Sequence, residues 1–558
     1  MPCWGEDVHG QLGDGSVDDA TALSARGVNT CVVRADHTVA CWGSTPLASR
    51  VDANTPQPVV GLTDAVAISA GGHFTCAVRS GGTAVWTARG RTARGRDDGS
   101  APRAYPPGMA TIDRSRLAGL MASETELFRS RNRHSAELHE EAQRSLLAGV
   151  PMNWMTRWPG PHPVFVADAS GARFTDVDGN TYIDLCLGDT GAMTGHSLPA
   201  TVDALSAQAP RGITTMLPSA DAIAVGDQLR ERFGLPVWQI AMTATDANRF
   251  ALRLARHATG RKKVLVFNWC YHGTVDEALN VLAPDGSVEP RPGNTGWAVD
   301  PNEFVKVVEF NDVAALEAAL APGDVAAVLA EPALTNIGIV PPDPGFHDAL
   351  RQLTRDTGTI LIIDETHTIC CGPGGATREW GLDPDMFVIG KPIGGGVPCA
   401  AYGMTTEVAG RIMDFVTGDD SDVAGIGGTL TANALSLAAV RATLAAALRD
   451  EDFAVSIPLA DQWAAGVQSV IDRFEVPWTV HRLGCRAEYW FCPPPRNGGE
   501  AATAVDHELD AFLHLWCLNR GILLTPFHNM ALFCPSHTTA DVDHHTEVFA
   551  SAVETLVS

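Results

Sequence analysis

Ile360-Leu361-Ile362-Ile363-Asp364-Glu365-Thr366-His367 and, further on, Met386-Phe387-Val388-Ile389-Gly390-Lys391-Pro392-Ile393-Gly394-Gly395-Gly396 each set a short aliphatic run directly before polar residues. Short uninterrupted apolar runs of this kind read as strands covered on both faces. Two more lie upstream, Val264-Leu265-Val266-Phe267 and Val325-Ala326-Ala327-Val328-Leu329. Helices are predicted between them. Residues 246–257 place Ala247, Phe250, Ala251, Leu254 and Ala255 at i, i+3, i+4, i+7 and i+8, with Gly260 as the stop. Residues 313–320 and 345–357 are helical in composition. From about 220 to 430 the alternation predicts an α/β fold, a mostly parallel sheet with helices on both faces. The last 120 residues or so mix helices and short strands and predict a smaller α+β domain beside it.

Ligands of open α/β sheets bind at the carboxyl ends of the strands. Those ends here carry Asp364, Lys391, Trp269-Cys270-Tyr271-His272-Gly273 and Glu331-Pro332. The set suits pyridoxal 5′-phosphate. Lys391 supplies an amine for the cofactor's aldehyde. Asp364 supplies a carboxylate that keeps the pyridine nitrogen protonated, so that the ring accepts electrons. Tyr271 offers a flat face for the ring. Thr243-Ala244-Thr245, ahead of the helix near Asp246, offers hydroxyls, N–H groups and a helix dipole for the phosphate. Each residue alone has a plainer reading: Lys391 as a loop residue, Asp364 as a helix cap, Tyr271 as core and His272 as a satisfied structural histidine. Their order along the chain favours the joint reading.

The span from about 145 to 555 resembles the class III (subgroup II) aminotransferases and glutamate-1-semialdehyde 2,1-aminomutase, which are fold type I pyridoxal-phosphate enzymes. The resemblance rests on Thr175-Asp176-Val177-Asp178-Gly179-Asn180, Gly195-His196, Arg253-Leu254-Ala255-Arg256, Tyr271-His272-Gly273, Glu331-Pro332, Asp364-Glu365, 390–396 and Gly428-Thr429-Leu430-Thr431-Ala432-Asn433. It implies that Lys391 forms the imine with the cofactor and moves the proton, that Asp364 pairs with the pyridine nitrogen and that Tyr271 stacks on the ring. It also implies Asn336 near the cofactor's phenolic oxygen, Thr366 over the ring, and Thr429 on the phosphate of a neighbouring subunit, hence a homodimer. Three departures stand out, one being that Thr366-His367-Thr368 replaces a more apolar pattern, which alters the space above the ring. Ala244 occupies a loop position where the family usually has glycine, which narrows the permitted backbone. Trp154 occupies the place of the aminomutase's carboxylate-binding arginine, with Arg157 three residues on as a candidate clamp.

The implied activity is transfer of an amino group from an amino acid or amine to a keto acid or aldehyde. Intramolecular transfer, as in the aminomutase, is the alternative. A third reading makes residues 1–110 an interaction module and the rest catalytically inactive.

Lysine usage supports a chemical role for Lys391. The chain has only Lys262, Lys263, Lys306 and Lys391, and arginine supplies the other 36 basic residues. Arginine forms no imine, so a surviving lysine stands out. With 558 residues, 45% hydrophobic, 19% charged and a net charge of −25, the chain reads as globular, and the charge argues against nucleic acid or an anionic membrane as main partner. No apolar stretch is long enough for a bilayer span and no secretory signal is visible, so a cytoplasmic protein is expected. The 13 scattered cysteines read as reduced thiols, and no histidine or cysteine spacing suggests a metal.

Residues 1–96 differ. Cys3-Trp4-Gly5 with Gly10-Gln11-Leu12-Gly13-Asp14-Gly15 is echoed by Cys41-Trp42-Gly43, and Thr30-Cys31-Val32-Val33-Arg34 by Thr75-Cys76-Ala77-Val78-Arg79. These motifs resemble the RCC1-like β-propeller repeat. The echoes return at 38 or 45 residues and cover about two blades, too few to close a propeller, so a remnant is expected. The expected boundaries are 1–96 repeat segment, 97–112 linker, 113–200 helices and β-meander of the small domain, 201–434 cofactor-binding domain, and 435–558 C-terminal small domain.

Overall fold

The central sheet of the computed structural model has seven strands, in the spatial order Val237–Ala241, Ala400–Met404, Met386–Ile389, Ile360–Asp364, Val325–Ala330, Lys263–Phe267 and Val305–Val308. Ala400–Met404 runs antiparallel to both neighbours, and the other six strands share one direction. The structure describes residues 112–557 except 297–298 and 419–423, together with seven strands between residues 20 and 88. The motifs at 3–15 and the linker at 97–111 lie outside the described residues.

Sequence dictates this sheet directly. Every residue of Val325–Ala330, Ile360–Asp364 and Met386–Ile389 is buried, as two-sided burial of unbroken aliphatic runs requires. Each Ile or Leu buried this way contributes about 1.5–3 kcal/mol. Helices Val313–Leu320 and Phe346–Thr357 fall where composition placed them. The helix expected at 246–257 is longer, Ala244–Thr259, because the Thr243 hydroxyl caps it two residues earlier by accepting from the Asp246 N–H. Gly260, at φ +67°, ends it. Fold type I architecture is thus present.

The smaller α+β part draws on both ends of the region. Val166–Ser170, Arg173–Asp176 and Thr181–Asp184 form the antiparallel meander, and Ile522–Leu523 pairs with Thr181–Asp184 in parallel. Helix Arg114–Arg131 is fastened to the same place by Glu124, whose buried carboxylate accepts from Asn519 Nδ2 at 2.7 Å and from both Arg520 Nη atoms at 3.0 Å. The nine cysteines between residues 112 and 557 are free thiols, eight of them buried, which suits a chain that needs no staples.

The chain divides into two units, Met1–Pro107 and Gly108–Ser558. In the first, Ala20–Arg26, Asn29–Arg34, Val39–Gly43 and Ala53–Pro58 form one antiparallel sheet, and Ala65–Ala70, Phe74–Arg79 and Ala84–Ala88 another. Strand starts at 20, 29 and 39 recur at 65, 74 and 84, so of the two spacings seen in the sequence the backbone follows 45.

Candidate active site

Lys391 leaves strand Met386–Ile389 through Gly390 and takes φ +49°, a left-handed backbone that costs a non-glycine residue about 1–2 kcal/mol. This turn aims the side chain back over the strand ends. Gly390 is needed there, since a Cβ on it would lie 2.9 Å from Ala244 Cβ. The neighbouring strand ends in Asp364, with Asp364 paired to Val388 in register. Lys391 and Asp364 therefore reach one cavity of about 320 Å³, lined also by Trp154, Thr243, Ala244, Thr245, Tyr271, His272 and Thr366.

Asp364 is buried and held by three donors. Asn248 Nδ2 and His272 Nδ1 reach its Oδ2 at 2.7 and 2.9 Å, and the Thr366 N–H reaches Oδ1 at 3.0 Å. Burial alone would raise its pKa. The His272 hydrogen bond and charge outweigh that, with Thr366 and Asn248, and hold the carboxyl below its usual range. Oδ1, with one donor, retains acceptor capacity toward the cavity. His272 is thus a brace behind Asp364.

Tyr271 sits under Trp154, ring centroids 5.7 Å apart, and Trp154 meets Phe527 edge-on at 5.3 Å. Burial, then the Asp189 carboxylate, push the Tyr271 phenol up to about 12, so it stays neutral. Ala244 carries no strain: it is the first residue of its helix and is not among the positive-φ residues, so the glycine expected at that position is dispensable here. The Thr243 hydroxyl accepts from the Asp246 N–H and donates to Asp246 Oδ2 at 3.0 Å, whereas the Thr245 hydroxyl accepts from the Thr274 N–H and keeps its hydrogen to donate. The loop also presents to the cavity the opening N–H groups of the helix, which lack intrahelical partners by construction.

Two expected residues, Asn336 and Arg157, do not line this cavity, and a third, Thr429, is expected at the cavity of a neighbouring subunit. Asn336 does not line the cavity; its side-chain amide lies against the Arg291 guanidinium. Arg157 ends a short 3-10 turn, is exposed, and does not line the cavity. Thr429 is exposed and outside the cavity of its own chain.

Three residues that contact the site were missed in the sequence. Asp189 Oδ2 lies 2.7 Å from Lys391 Nζ. It stands on a left-handed turn, Leu187 to Thr190, with φ between +46° and +81°. The turn is ordered by Asp184, whose Oδ1 accepts from the Cys186 and Leu187 N–H groups. Such strain concentrates where side chains must be placed for function. His367, noticed only as a departure from an apolar pattern, touches Nζ from the other side at 2.8 Å, and Arg486 supports His367. Asn248 braces Asp364. The available signals were a Gly-Asp-Thr-Gly turn after a strand, an arginine two residues from a glutamate in an apolar strand, and an asparagine on a buried helix face.

A family model, aminotransferase class III, matches residues 154–548. The chain is a class III aminotransferase. Within the family it is 32% identical over 402 residues to a glutamate-1-semialdehyde 2,1-aminomutase of Desulfitobacterium hafniense, an alignment covering 71% of this chain and 92% of that one. A crystal structure of a glutamate-1-semialdehyde aminomutase from Pseudomonas aeruginosa PAO1 is 48% identical, with TM-score 0.78 over 80% of this chain and 99% of that one. A variant of that protein was solved with PMP. An omega-transaminase of Sphaerobacter thermophilus is 28% identical, with TM-score 0.70, and covers 76% of this chain and 98% of its own.

The residues of this class III site fit pyridoxal phosphate on structural grounds. The Thr366 hydroxyl oxygen is buried on the cavity wall without a hydrogen-bond partner. At Gly273, φ +80°, an added Cβ would fall 2.1 Å from Thr245 Oγ1 and 3.0 Å from Thr245 Cα, so the 243–245 loop and the Tyr271 segment close up only on glycine. Gly273→Ala is accordingly expected to weaken cofactor binding at least about tenfold, about 1.4 kcal/mol. Spectroscopic titration of the variant checks this, and an unchanged Kd would show that the close approach is not needed.

Proposed function

We propose that the chain is a pyridoxal-phosphate-dependent transaminase acting through Lys391, between an amino acid or amine donor and a keto acid or aldehyde acceptor. The observation that carries it is the delivery of Lys391 and Asp364 to one cavity by adjacent parallel strand ends. Once bound, the cofactor supplies an aldehyde carbon and a ring that accepts an electron pair. Asp364 would hold the ring nitrogen protonated, and its three donors keep it ionised for that purpose. Tyr271 and Thr366 would flank the ring, and the N–H groups at the start of helix Ala244–Thr259 would bind phosphate. Lys391 Nζ would take a proton from the donor's carbon and return one at the neighbouring centre. Trp154, Tyr271 and Phe527 keep water from one wall of the cavity.

The aminomutase reading is kept because the relatives named for the site carry that name. Against it stands Trp154 in place of an arginine, with no arginine among the described residues that line the cavity. Incubation with a panel of amino donors separates the two. Keto-acid release without isomerisation of glutamate-1-semialdehyde is the expected result, whereas isomerisation without any external donor would establish the mutase.

In this reading the enzyme is a cytoplasmic homodimer that shares its active sites. The exposed place of Thr429 supports this, and among the described residues no helix is long and apolar enough to cross a membrane. Residues 1–96 are taken as an RCC1-like remnant; the 45-residue recurrence of strands supports that assignment.

A further inference from the structure

The groups behind Lys391 form a chain whose hydrogens can be assigned. Nζ lies 2.7 Å from Asp189 Oδ2 and 2.8 Å from His367 Nε2. Across the imidazole, Arg486 Nη1 lies 3.0 Å from His367 Nδ1. Arg486 is fully buried, and its other terminal nitrogen donates to the Thr335 carbonyl at 2.7 Å and to Glu488 Oε2 at 3.1 Å. Glu488 Oε1 in turn meets His528 Nδ1 at 3.2 Å.

A guanidinium only donates hydrogen bonds. His367 Nδ1 must therefore present its lone pair to Arg486, and the ring hydrogen sits on Nε2. That hydrogen points at Nζ. An ammonium has no lone pair to receive it, so keeping both contacts with a charged lysine would need an imidazole bare at both nitrogens, an anion. A doubly protonated ring is excluded on the other side, where Nδ1–H would face Arg486. The arrangement that satisfies all contacts is a free amine that accepts from Nε2–H and donates to Asp189.

We infer that His367, fixed in one tautomer by Arg486, is a positioning residue that presents Lys391 to the cavity as a free amine, the form that adds to an aldehyde. The inference rests on Lys391 being the cofactor-binding lysine. Asp189 works in the opposite sense, since a carboxylate favours the ammonium. The other titratable groups facing this spot are Asp364 at its strand end, Tyr271 and His272 across the cavity, and Glu488 and His528 beyond Arg486. Glu488 offsets the charge of Arg486 and leaves its donor direction unchanged. Passing from ammonium to amine releases one proton to water and breaks no other bond.

Having four lysines makes the test clean. The full-length protein, stripped of cofactor, is labelled with trace acetic anhydride across the neutral and alkaline range, and peptides are quantified by mass spectrometry against exposed Lys262. Lys391 is expected to reach half-maximal labelling at lower pH than Lys262. His367→Met should move the Lys391 profile upward by about one pH unit, a tenfold slower reaction at neutral pH, and Asp189→Asn should move it downward. A merely structural role would move both variants the same way or slow labelling at every pH. Either result overturns the inference, as does a wild-type Lys391 profile at or above that of Lys262, which needs no variant to fold. Visible absorbance of the wild type with cofactor tests the underlying reading separately: with that absorbance intact, a failed labelling result removes only the role of His367.

Discussion

Lys391→Ala is expected to abolish turnover, by about 10³-fold or more, while the protein still binds cofactor through its phosphate and ring contacts. The reasoning is positional. No other lysine reaches the cavity: Lys263 and Lys306 are paired with Asp324, and Lys262 is exposed beyond helix Ala244–Thr259. The wild type mixed with pyridoxal phosphate should show visible absorbance that borohydride bleaches, leaving a covalent mark on the peptide containing Lys391. The alanine variant should lose the mark. Retention of more than about a hundredth of the activity would displace Lys391 from its role.

Asp364→Asn carries the second large effect. An amide accepts hydrogen bonds but cannot balance a positive charge, and the space around Oδ2 is already filled by Asn248 and His272. Turnover is expected to fall about 10²–10³-fold, the scale seen when a fixed electrostatic partner is removed. Cofactor should still bind, so the loss falls on kcat and not on cofactor affinity. Full activity in this variant would mean that the ring nitrogen finds its partner elsewhere. The two substitutions differ in signature: one removes the borohydride mark, and the other keeps it.

Lys391, Asp364 and Tyr271 were legible because the information is local. A buried strand is recognisable from four aliphatic residues, and the residues at its carboxyl end must lie at the rim of the sheet. The same locality explains what was not legible. Asp189 stands 202 residues from Lys391 and reaches it only because the left-handed turn at 187–190 is tied to Asp184. Arg486 meets His367 across 119 residues, through a strand of a different sheet. The Thr243 hydroxyl was assigned to phosphate when the first demand on it was capping, a competition invisible until the helix start is known. Asn336 is an expectation from resemblance alone, and in this chain its amide lies against Arg291.

The clasp at Glu124 constrains how the polypeptide is made. Its carboxylate finds its donors 395 and 396 residues downstream, and the parallel neighbour of Thr181–Asp184 arrives only with Ile522–Leu523. A ribosome has therefore made Asn519 and Arg520 before helix Arg114–Arg131 can dock. Until then a bare strand edge and a hydrated acid wait in the open, the kind of surface that chaperones hold and proteases find. A nonsense codon anywhere upstream of Asn519 forfeits both ends of the body at once.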